Sequence, residues 1–93
     1  MTDHLNIDEI IDLVRQQAPN RQDIINALTN SSGGHWKSKA YYNFVDSKNA
    51  NQKGAEWQFD ENIVLESETL GTLVIDYLKD KRIGGIEFLK NLD

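Results

Sequence analysis

Residues 72–89, TLVIDYLKDKRIGGIEFL, decide the fold. Thr72 to Leu78 is rich in β-branched and aromatic side chains in period-two alternation, and Arg82 to Leu89 repeats that pattern. A tight turn near Asp80 and Lys81 separates the two runs, so the stretch reads as an antiparallel hairpin. Gly84-Gly85 interrupts its second strand, where a residue without a side chain weakens the ladder. Three readings fit such a pair: a β-bulge, a place where an aromatic ring from Trp36 or Trp57 covers bare backbone, or a close approach by a ligand.

Moving upstream, Trp57 and Phe59 alternate with Glu56, Gln58 and Asp60, a half-buried strand with an acidic outer row. Asp60-Glu61-Asn62 reads as a turn or bend before Ile63-Val64-Leu65 resumes β character, and Glu66 to Gly71 reads as another turn. Further back, Ala40, Tyr42 and Phe44 share one strand face while Tyr41, Asn43 and Val45 share the other. Residues 46–54 are polar without periodicity, a connecting loop.

Before His35 the period is helical. Asn6 stands in N-cap position, Glu9 completes a capping-box spacing, and Leu5 with Ile10 has the spacing of a hydrophobic staple. Ile7, Ile10, Ile11, Val14 and Ala18 then fall on one helix face, and Pro19 ends it. A shorter helix follows, capped by Asn20, with Ile24, Ile25, Ala27 and Leu28 as its apolar contacts. Helices followed by strands predict an α+β fold. The expectation is a single domain over 1–93, with a helical pair (1–32) on one face of an antiparallel sheet of four to five strands (35–93). The expected core is Ile7, Ile10, Ile11, Val14, Ile24, Leu28, Phe44, Trp57, Phe59, Ile63, Leu65, Leu73, Ile75, Ile86 and Phe88.

Composition narrows the chemistry. The chain has 93 residues, no cysteine and a net charge of −5. Thiolate nucleophiles, disulfides and thiolate metal sites are therefore excluded, which suits a reducing cytoplasm. The N-terminal residues lack the basic-then-apolar order of a secretion signal, and no apolar run nears the roughly 20 residues that span a bilayer. Charge is uneven. Lys37, Lys39, Lys48 and Lys53 face one acid, Asp46, between residues 33 and 53, whereas both flanking regions are acidic. Such a field repels nucleic acid and attracts a basic partner.

The closing hairpin also carries a resemblance. Residues 74–89 resemble the final motif of a family of short bacterial proteins, domain of unknown function 2283, with Gly85-Ile86-Glu87-Phe88-Leu89 matching its last strand and Asp76 its strand aspartate. Lys81 stands where that family usually has glycine, and Leu78 where it usually has an acid. The likeness covers about the last forty residues, and residues 1–50 have no counterpart in it. It implies a small antiparallel β module with a binding or antitoxin-like role, and it supplies no catalytic residue.

Several constellations could carry chemistry. Glu87, Asp76, Glu56 and Asp60 could gather carboxylates on one sheet face, although charged outward positions are ordinary on strands. His4 and His35 lack metal-ligand spacing. A small ribonuclease would need Glu87 or Glu56 as base, His35 as acid and Arg82 at the phosphate. A nucleic-acid reading would use Arg21, Gln22 and Asn26 on the second helix, or the stretch from His35 to Tyr42. The reading favoured by charge is a non-catalytic, cofactor-free protein-binding module, of antitoxin or immunity type, for a basic partner. Its contact residues are expected to be Trp36, Tyr41, Glu56, Asp60, Glu66 and Glu68, with aromatics as anchors and acids steering the encounter. A homodimer joined edge to edge is the other non-enzymatic form.

Overall fold

The computed structural model describes residues 5–31, 33–45 and 59–92. Helix α1 spans Ile7–Gln17, and the Asn6 side chain accepts from the Glu9 N–H at 3.1 Å, the expected cap. Helix α2 spans Gln22–Thr29. Its cap position is Arg21, not Asn20, and no side chain caps it. The Arg21 carbonyl receives the first turn's N–H groups, while its guanidinium reaches Asp23 and Glu61 instead.

Five strands follow: β1 (His35–Ser38), β2 (Tyr41–Asn43), β3 (Phe59–Ser67), β4 (Gly71–Leu78) and β5 (Ile83–Phe88). They form one antiparallel sheet in the order β1-β2-β5-β4-β3. The fold is α+β, with both N-terminal helices on one sheet face, α1 against β3 and α2 against β5. Two strand readings change. The strand expected over 40–45 is shorter, Tyr41–Asn43, and forms the second arm of a hairpin that turns at Lys39-Ala40 after β1, with a register shift between Trp36 and Ser38. Asp60-Glu61-Asn62 is no turn. It lies inside β3, whose register shifts between Phe59 and Glu61, and this irregularity absorbs the break in apolar alternation. The turn read over 66–71 is shorter, since Glu66 and Ser67 still belong to β3.

The core lies between helices and sheet. Ile10, Val14, Ile24, Leu28, Leu65, Leu73, Ile75 and Ile86 are fully buried there, and Ile11, Ile63 and Phe88 nearly so. Each such side chain contributes roughly 1.5–3 kcal/mol by leaving water. Ile7 and Phe44 pack against this cluster while partly exposed, Phe59 is half-buried, and Trp57 lies outside the described residues. Ile25, Ala27, Tyr77 and Ile83 complete it.

Ile83 and Ile86 are three residues apart, which on a regular strand puts them on opposite faces. Here both join the helix-side core. The β4–β5 register explains this: Asp76 pairs with Gly85 but Tyr77 pairs with Ile83, so Gly84 is the extra residue of a bulge. Gly85 has a different task. A β-carbon there would lie 2.7 Å from Tyr41 Cζ and 2.8 Å from the Tyr42 carbonyl. The ring over the bare strand therefore belongs to Tyr41, not to Trp36, whose ring packs against Phe88 at 5.5 Å on the helix side.

Candidate partner-binding surface

Antiparallel register decides which backbone groups of β3 are free. Phe88 donates to Ala40 and Phe44 to the Gly84 carbonyl, so the even positions of β5 bond toward β2 and the odd ones toward β4. Val74, paired with Glu87, thus bonds toward β5, leaving Leu73 and Ile75 to bond Leu65 and Ile63. It follows that the N–H and C=O of Asn62, Val64 and Glu66 point away from the sheet. No described strand pairs with that side of β3.

At Glu66 the outward groups are met by a side chain. The Gln17 carboxamide accepts from the Glu66 N–H at 2.9 Å and donates to its carbonyl at 2.6 Å, standing in for one residue of a neighbouring strand. Asn62 and Val64 have no such cover among the described residues. Val64 also points to the sheet face without helices and is 58% exposed, a large share for an apolar strand residue. Around it the strand is acidic: Asp60 and Glu61 at its start, Glu66 near its end, and Glu68 in the following turn. The opposite edge is different, because β1 has only four residues, a register shift and the cations Lys37 and Lys39 around its end.

The expected contact residues divide accordingly. Asp60, Glu66 and Glu68 are exposed along β3 and its turn, with the Glu66 carboxylate accepting from Thr72 at 2.7 Å. Trp36 and Tyr41 do not join them. Trp36 is half-buried on the helix side, edge-on to Tyr42 at 5.2 Å. Tyr41 is half-buried on the other face, where its hydroxyl donates to Asp76 at 2.8 Å. Glu56 lies outside the described residues. Asn62, Val64 and Gln17 were not among the expected contact residues. An apolar residue at an outward position between acids was the available signal for Val64.

The other constellations are placed as follows. Asp76 and Glu87 share the face away from the helices, and burial raises the Asp76 pKa against the opposing hydrogen bond from Tyr41. Burial, followed by the Asp76 hydrogen bond, raises that of the Tyr41 hydroxyl. Arg82 pairs with Asp80 at 2.7 Å and sits five residues from Glu87, about 16 Å along an extended strand, while His35 lies out on β1. Glu87, His35 and Arg82 are thus not neighbours, and Glu56, the other candidate base, lies outside the described residues. On α2, Arg21 is held by Asp23 and Glu61, and Gln22 donates to Asn26 at 2.9 Å. Among the described residues no three His, Asp or Glu side chains gather as a metal site, and no helix is long and apolar enough to cross a membrane. Compared with models of protein families, with curated proteins and with solved structures, the chain matches none.

Proposed function

We propose that the chain is a non-catalytic protein-binding module that takes an extended, basic segment of a partner protein onto the outer edge of β3. One observation carries this reading: β3 is a nine-residue edge strand with outward backbone groups at Asn62 and Val64 and an exposed valine between acids. An added strand gains main-chain hydrogen bonds there, and alternate side chains supply specificity. Lysines or arginines opposite Asp60 and Glu66 would form cross-strand ion pairs, and an apolar residue would cover Val64. The acidic net charge steers such a partner toward the molecule. An antitoxin or immunity role, in which the chain covers the basic site of a nuclease, is the concrete form of this proposal.

Pairing of β3 with a second copy is disfavoured by the same charges. In the two antiparallel self-pairings that overlap β3 most fully, the acidic start of one strand meets the acidic end of the other. Centred on Ile63 it sets Asp60 against Glu66, and centred on Val64 it sets Asp60 against Glu68. Like charges directly opposite destabilise a ladder.

The test is an NMR titration of the full chain with a strand-forming peptide alternating lysine and valine, beside a control in which glutamate replaces lysine. The lysine peptide is expected to shift the amides of residues 61–66 in a salt-sensitive way. Val64→Pro removes the outward N–H and the exposed valine side chain but no donor of the β3–β4 ladder, so it should abolish this binding while that ladder and the amide dispersion persist. Equal binding of the acidic control, or an unchanged response in the proline variant, would refute the proposal.

A further inference from the structure

Gln17 is the last residue of α1, and its side chain reaches across to the open side of β3. Ile10 and Val14 of the same helix are buried against the sheet, so the backbone that carries Gln17 is held in place while its side chain stays exposed. The carboxamide oxygen accepts from the Glu66 N–H at 2.9 Å, and the carboxamide nitrogen donates to the Glu66 carbonyl at 2.6 Å. One group thus takes both outward groups of one residue. In a hydrogen-bonded antiparallel pair the directly opposed residue makes the same exchange.

Such a contact is weak by construction. Neutral hydrogen bonds at an exposed site contribute little net, because water can replace them. An ordered glutamine also gives up rotamer freedom, which it regains on release. A strand that pairs with Asn62 and Val64 brings its next alternate residue to the place where the carboxamide lies, and it offers the Glu66 backbone the same two bonds. The Glu66 carboxylate takes no part in the exchange, since it accepts from Thr72 across the β3–β4 ladder.

We propose that Gln17 is an intramolecular competitor for the β3 edge: it closes the Glu66 end in the free chain and is displaced when a partner strand pairs from Asn62 through Glu66. The role rests on the reading of β3 as the partner's edge. It adds that the partner's segment covers three alternate positions, and that the glutamine lowers its affinity.

The test follows the side-chain NH2 signals of Gln17 by NMR of the full chain, assigned by their absence in Gln17→Ala. Alanine favours helix, so α1 keeps its length in the variant. In the free chain Gln17→Ala should speed hydrogen exchange at the Glu66 amide about fivefold, the loss of roughly one net hydrogen bond. On saturation of the unaltered chain with the lysine–valine peptide, the Gln17 NH2 signals should move to the positions of a free glutamine side chain. Gln17→Ala, with no competitor to displace, should bind the same peptide about fivefold more tightly. An unchanged Glu66 exchange rate in the free variant overturns the proposal. Peptide binding that leaves the Gln17 signals in place, or equal affinity of the two proteins, overturns it and leaves the β3 reading standing. Absence of peptide binding to both proteins refutes the β3 reading itself, and the competitor role with it.

Discussion

Asp76 stands between two opposing effects. Partial burial between β-strands raises the pKa of its carboxyl, and the hydrogen bond from Tyr41 lowers it by less. The folded chain therefore holds this proton to higher pH than the unfolded chain does. Stability from the protonated group is fully present below the unfolded value, near pH 4, and is lost as pH rises through the folded value. Asp76→Asn keeps a carbonyl to accept from Tyr41 and has no proton to lose. Relative to the unaltered chain it should gain stability as pH rises from about 3 to about 7, read as urea midpoints across that range. A difference in midpoint that stays constant with pH would show that Asp76 titrates alike in both states.

At the scale of elements, the bulge in β5 divides the labour between two adjacent glycines. At Gly85 a β-carbon would meet the Tyr42 carbonyl at 2.8 Å, and backbone of a neighbouring strand cannot give way. At Gly84 it would meet Leu78 Cδ2 at 2.9 Å, the end of a side chain that can turn. Gly85→Ala should cost about 1–3 kcal/mol and Gly84→Ala less, both measured by chemical denaturation. The reverse order would mean that the bulge, not the close approach of strands, sets the need for glycine. The Gly84-Gly85 pair was legible as a bulge, but not which of the two glycines is the inserted residue. Apolar periodicity identified β4, β5 beyond its bulge, the core of β3 and both helices, because those stretches each keep a single period. Ile83 was missed because an inserted residue changes its face, and β1 because a polar four-residue edge strand has little apolar signal. The acids along β3 were legible as an outward row. Gln17 was not, since its role rests on a contact 49 residues away in the chain.

For the whole molecule, the arrangement of charge matters more than its sum. A chain with net charge −5 already resists self-association. The sharper obstacle is the placement of Asp60, Glu66 and Glu68 at the two ends of the one long exposed edge among the described strands, Glu61 being held by Arg21. A two-fold pairing of β3 with a second copy repeats every unfavourable contact twice, at roughly 0.2–1 kcal/mol each. Glu66→Lys reverses that sign. In the register centred on Ile63 the new ammonium would face Asp60 of the second copy, so each of the two symmetric contacts becomes attractive. The same substitution leaves the Glu66 backbone bonds to Gln17 intact, because they involve no carboxylate. The unaltered chain is expected to remain monomeric by light scattering at neutral pH, whereas Glu66→Lys shifts toward dimer with rising concentration and returns to monomer in high salt. Dimerisation of the unaltered chain through β3, mapped by exchange protection at Asn62 and Val64, would show that the edge accepts its own kind despite the charges, and the basic segment would then lose its claim to that edge.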